Sequence, residues 1–156
     1  MKTTTVSPLF FEFESDFVNT LKCVPMIVRY KLDSCGVKLK LHEWAKFSLA
    51  DKESLAFLPC FSDSEVAFYG GFVKQLVREQ FGYEASMLPG VDASWENLHE
   101  VPSEVIEKAI EWNCPPVSLS SWIRLGVMQR FALVKLSRSG HEGRNFPVAC
   151  REFNLS

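Results

Sequence analysis

No apolar run in this chain approaches the roughly 20 residues needed to span a bilayer. The N-terminus also lacks the basic start and 7–15-residue apolar stretch of a secretory leader. The five cysteines, Cys23, Cys35, Cys60, Cys114 and Cys150, are widely spaced and include no CxxC pair. That removes support for zinc-ribbon and thioredoxin-like readings. Cys35, His42 and Cys60 match no known zinc spacing either. No Gly-rich loop follows a strand, and no GxSxG is present, so phosphate-cradling and α/β-hydrolase chemistry have no motif here. These absences point to a cytoplasmic, non-enzymatic chain without a cofactor, using its cysteines as small buried hydrophobes.

What is present is an ordinary soluble composition. The 156 residues are 47% hydrophobic and 23% charged, with thirteen Phe and four Trp for an aromatic core. That length suits a single domain able to fold without staples. Net charge is only −2, but it is unevenly laid out. Lys22 to Lys46 is basic, opposed by Asp33 and Glu43. Glu84 to Glu111 is acidic, with Lys108 its one cation. Arg124 to Arg151 is basic again, with Glu142 its one acid. Such a layout either locks the fold internally or presents surfaces of opposite sign to a partner.

Periodicity predicts an all-α fold, a single irregular bundle of about six to eight helices with at most a short extended N-terminal segment. Residues 1–8 are expected to be disordered. Pro25 and Gly36 bracket a helix over MIVRYKLDSC. VKLKL reads as an extended connector leading into a helical turn at LHEWAKF. Ser48 starts a third helix, stopped by Pro59. Ser62 and Glu65 form a capping box before a long helix whose Phe68, Tyr69, Phe72, Val73 and Leu76 share a face. Gly70 and Gly71 lie mid-helix, where they allow close packing or mark a kink. Residues 82–102 read as a loop with one turn around Trp95. Ser103 is expected to cap EVIEKAIEW, with Val105, Ile106, Ala109 and Trp112 inward. Ser118 is expected to cap one helix running from Leu119 to about Arg138. A last short helix carries Pro147 in its first turn.

The densest block is WIRLGVMQRFALVKLSRSGHEGRNF, residues 122–146. On a wheel of about 100° per residue, Leu119, Ile123, Gly126, Leu133 and Val134 share a broad apolar arc, and Arg130 projects into it. A guanidinium there needs acceptors. They come from an internal carboxylate, such as one from the acidic 84–111 region, or from a docked anion or partner. Arg124, Lys135 and Arg138 form a narrow basic face, either solvated or a docking face for an acidic protein. The acidic balance and the lack of RNA-module signals argue against nucleic acid. The SGHEGRN loop is not HExxH, because residue 145 is Asn. His141 and Glu142 are adjacent on a loop and do not orient one another for acid–base work. Loop fixation, or capping of the last helix by His141 and Asn145, fits better. The candidate partner- or anion-binding residues are therefore Arg124, Arg130, Lys135, Arg138, His141, Glu142, Arg144 and Asn145.

Three stretches together resemble one known family: CVPMIVRYKLDSCGVKLKLHEW (23–44), ADKESLAFLPC (50–60) and QRFALVKLSRSGHEGRNF (129–146). They are similar to the small nitrate-reductase-associated proteins of cyanobacteria. The likeness runs from Phe11 to Phe153 and is weakest between Gly82 and Val101. It implies an accessory factor for assimilatory nitrate reductase, with that enzyme as partner. The reductase itself uses a molybdopterin, an iron–sulfur cluster and ferredoxin, none of which has a matching signature here. Maturation by protein–protein binding is the function implied. The alternative is a carrier of an anion or a molybdenum-cofactor precursor, with Arg130, Arg138 and Arg144 lining its pocket. The resemblance carries over no catalytic residues.

Overall fold

Helix punctuation by Pro, Gly, Ser and Glu accounts for most of the element boundaries in the computed structural model. Residues 10–15, 21–90, 92–138 and 142–155 are described. The residues expected to be disordered at the start, 1–8, lie outside them. Eight α-helices and one two-stranded ladder make up the regular structure among the described residues, an all-α architecture within the expected helix count. The chain divides into two compact units, Met1–Val91 and Asp92–Ser156.

In the first unit, a 3-10 turn at Glu12–Glu14 delivers a buried carboxylate to helix α1 (Met26–Cys35). Glu14 Oε2 accepts from the Met26 amide at 2.7 Å, and Oε1 accepts from the Phe11 amide. Pro25 stands at the N-cap and offers no side-chain acceptor, so Glu14 satisfies an orphan donor at the positive end of the helix dipole. Gly36 ends α1 with φ 74°, the left-handed C-cap expected of it. The VKLKL connector holds a short strand, β1 (Val37–Lys38), paired antiparallel with β2 (Ser86–Met87) in the register Val37 to Met87. Residues 82–102, expected to be a loop with one turn, thus also hold a strand. Two residues are too few to show alternation.

Helix α2 (Leu41–Lys46) buries Trp44, whose indole donates to the Leu21 carbonyl. Helix α3 (Leu49–Phe57) is capped by Ser48 and closed at its far end by Lys31. The buried Lys31 ammonium donates to the carbonyls of Ala56 at 2.7 Å and Leu58 at 2.6 Å. Burial lowers its pKa below the ordinary lysine value.

Helix α4 (Asp63–Phe81) starts at the Ser62–Glu65 capping box, with both reciprocal bonds formed. Its buried stripe is Tyr69, Gly70, Val73, Leu76 and Val77. Phe68 was expected on that face but is 63% exposed. The stripe follows the 69, 73, 76, 77 spacing, and Phe68 falls about one helical step outside it. Gly70 lets α1 approach: a Cβ there would meet the Cys35 Cβ at 3.3 Å, whereas nothing lies within 4 Å of one at Gly71. Of the two expected roles, close packing is the one seen at Gly70.

The second unit begins with a 3-10 turn at Ser94–Glu96, the turn expected around Trp95. Helices α5 (Ser103–Glu111), α6 (Leu119–Arg124), α7 (Val127–Arg138) and α8 (Phe146–Glu152) follow, with Pro147 in the first turn of α8. Ser103 is the first helical residue of α5 rather than its cap, since Pro102 takes that position. Val105 and Ala109 are buried as expected, but Ile106 and Trp112 are exposed. The helix stops at Glu111 and the chain turns at Asn113 (φ 55°), so Trp112 lies past the helical repeat.

Two predictions follow from this packing. Gly71→Ala should stabilise the protein by up to ~1 kcal/mol, the helix-propensity gain, while Gly70→Val should cost about 1–3 kcal/mol by overpacking against Cys35. Urea titration of both variants checks this. Hydrogen bonds from the Ser62 and Phe61 amides hold the Glu65 carboxyl below its usual range. A depressed carboxyl pKa contributes stability above the unfolded value and loses it as pH falls through the folded one. The advantage of the wild type over Glu65→Ala should therefore be complete at neutral pH and vanish in acid, as read by thermal melts across that range.

Candidate functional site

The single helix expected from Leu119 to Arg138 is two helices. Leu125 is extended (φ −69°, ψ 149°) and ends α6, and α7 restarts after Gly126. The Gln129 side chain accepts from the Gly126 amide at 2.9 Å, and the Arg130 amide donates to the Gly126 carbonyl. Gln129 thus does for this start what a capping-box glutamine does. The break also divides the expected apolar arc. Leu133 and Val134 are fully buried, while Leu119 and Ile123 are 40% and 46% exposed. Helix α7 is the central helix of its unit, burying Phe131, Ala132, Leu133, Val134 and Leu136 together with Arg130.

Arg130 sits where the wheel placed it, and it is buried. Its Nε donates to the Trp95 carbonyl at 2.7 Å, and its Nη1 donates to the Leu125 carbonyl. One side chain thus joins the 94–96 turn to the α6–α7 break. The acceptors identified are main-chain carbonyls, one of them inside the acidic region. Trp95 is further fixed by the edge of Phe131, with ring centroids 4.8 Å apart. The Lys135 ammonium lies 5.7 Å from the Trp95 ring and 5.3 Å from that of Phe131, within cation–π range. The Trp122 indole donates to the Asn97 carbonyl at 2.7 Å, tying α6 to the same segment.

Arg138 completes the row two turns beyond Arg130. It grips Glu104 bidentately at 3.1 and 3.0 Å and reaches Asp92 at 3.2 Å. About a third of the Arg138 and Glu104 side chains is exposed, so the pair contributes on the order of 0.5–1 kcal/mol. The basic face predicted on this helix is therefore largely turned onto the 92–104 segment. Arg138 is nonetheless exposed, as are Arg144 and Arg124, the last with one long contact of 3.5 Å to Ser121.

In the polar loop, His141 and the Glu142 side chain lie outside the described residues. Glu142–Asn145 forms a 3-10 turn running directly into α8. Asn145 occupies the N-cap position, but its side chain makes no capping bond, which corrects that expected role. Its backbone is already in the helical region (φ −83°, ψ −7°), unlike the extended backbone of a capping residue. Gly143 is buried close to the Leu136 carbonyl and the Lys108 ammonium.

Among the described residues, no group of three or more His, Cys, Asp or Glu side chains converges to hold a metal. His42 faces Tyr83 at 3.3 Å and the Phe81 ring. Tyr83 in turn donates to buried Glu43 at 2.7 Å, which raises the phenol pKa. Glu43 also accepts from the Lys40 amide at the start of α2, so one buried carboxylate joins that helix start to a residue 40 positions away. No helix among the described residues is long and apolar enough to cross a membrane.

Residues 10–153 match the model of a family described as conserved nitrate reductase-associated protein. No curated protein and no solved structure matches the chain.

Arg130→Met should destabilise the protein by about 2–4 kcal/mol, because it strands two buried carbonyls that the guanidinium serves. Arg124→Ala, on the exposed side of α6, should stay within about 0.5 kcal/mol. Guanidinium denaturation of the two variants side by side decides the matter.

Proposed function

Since the chain belongs to the nitrate reductase-associated family over residues 10–153, we propose that it is a non-catalytic accessory factor that binds assimilatory nitrate reductase and assists its maturation. The family match is the observation that carries this reading. The contact region proposed is the exposed part of the basic segment, centred on Arg124 and Arg144. On α6, Arg124 is exposed, and so are Leu119 and Ile123. Exposed arginine and exposed apolar side chains on one short helix are a combination favoured at protein interfaces. Arg130 then serves the scaffold that presents this surface, and Lys135 and Arg138 hold it to the acidic segment.

The carrier reading has less support. It needs Arg130, Arg138 and Arg144 to share one anion pocket, yet Arg130 holds two carbonyls and Arg138 holds two carboxylates.

A pull-down with the apo-reductase tests the proposal. The wild type should retain the apo-enzyme, and Arg124→Glu/Arg144→Glu should weaken retention about tenfold or more at an unchanged melting temperature. Failure to bind the reductase in any cofactor state would contradict it.

A further inference from the structure

Two cysteines that the sequence treats as unrelated meet in the second unit. Cys114 follows α5, and Cys150 lies inside α8. Both line one cleft of about 230 Å³, walled by Trp112, Pro115, Pro147 and Arg151. Both face it as free thiols, and the Cys114 thiol also donates to the Trp112 carbonyl at 3.8 Å. The backbone holds each in place. Asn113 turns the chain at φ 55°, and the Cys114 amide then donates to the Ala109 carbonyl at 2.8 Å. The Cys150 carbonyl accepts from the Leu155 amide at the end of α8. Cys150 is buried, whereas Cys114 is half-buried at the cleft.

We propose that Cys114 and Cys150 are a redox-active dithiol, closing to an intrachain disulfide by exchange with a small-molecule disulfide such as oxidised glutathione. In the first step the Cys114 thiolate attacks one sulfur of the incoming disulfide. A mixed disulfide forms and one small thiolate leaves. In the second step Cys150 gives up its proton to solvent, attacks Cys114 Sγ and displaces the second small thiolate. The protein dithiol loses two electrons and two protons, and the small disulfide becomes two thiols.

Exposure assigns the order: the cleft admits a reagent to Cys114 first. Burial, and then the neighbouring Cys114, push the Cys150 thiol up to about 12. Bonding Cys114 into the mixed disulfide removes that second influence and eases the closing attack. The other cysteines differ. Cys35 and Cys60 are also raised by burial, but Cys35 packs against Gly70 and Cys60 donates to the Lys31 carbonyl.

The experiment equilibrates the full chain in glutathione buffers of graded redox potential, alkylates it and maps the peptides by mass spectrometry. A Cys114–Cys150 linked peptide should appear as the buffer becomes oxidising, with Cys23, Cys35 and Cys60 still alkylated. The oxidised form should melt about 5 °C or more above the reduced one. Cys150→Ser should accumulate a glutathione adduct at Cys114, and Cys114→Ser should leave Cys150 unmodified. Cys114 remaining fully alkylated in the wild type at every potential would overturn the proposal. So would a disulfide that joins any other pair.

Discussion

Within residues 92–155, the Arg130 guanidinium is the group on which the arrangement of the other elements rests. It is buried, so its charge needs acceptors, and those identified are the carbonyls of Trp95 and Leu125. Both carbonyls belong to places where regular structure is interrupted: a 3-10 turn and the break between two helices. Such interruptions leave main-chain oxygens without ladder partners. Arginine suits this because its planar fork serves acceptors in two directions. The same turn presents Trp95 to Phe131 and Lys135, so the segment that Arg130 holds also carries an aromatic cluster.

The charge layout takes its meaning from this arrangement. The acidic 84–111 stretch and the basic 124–151 stretch meet within one unit, through Arg138 on Glu104 and Asp92. Of the two readings open at the outset, internal locking accounts for Arg130, Lys135 and Arg138. Arg124, Arg144 and Arg151 are exposed, and with the exposed part of Arg138 they are what a partner would find. Membership of the nitrate reductase-associated family indicates which partner to try first.

Local chemistry was legible where a single residue decides a boundary. Pro25, Gly36, Ser48, and Ser62 with Glu65 set helix ends that the structure repeats. Distant pairing was not. The β1–β2 ladder, the Glu14 carboxylate at the start of α1 and the Tyr83–Glu43 bond join segments with no shared periodicity. The Leu125–Gly126 break shows the limit within a helix. Its flanks both read as helical, and the extended Leu125 is held through its carbonyl by Arg130 five residues on, an acceptor that side-chain periodicity does not mark. Arg130 itself stood out as a cation in an apolar arc, but the Trp95 and Leu125 carbonyls among its acceptors are main-chain groups that no side-chain sequence marks.

The most direct test of this account is the exchange behaviour of the arginine side chains, read by nitrogen-15 NMR. Arg130 Nε–H should give a distinct resonance protected from solvent exchange, as a donor held inside the unit must. The exposed guanidiniums of Arg124 and Arg144 should exchange rapidly under the same conditions. An Arg130 signal as fast as theirs would mean that the guanidinium is not held on the Trp95 carbonyl, and the account built on it would fail.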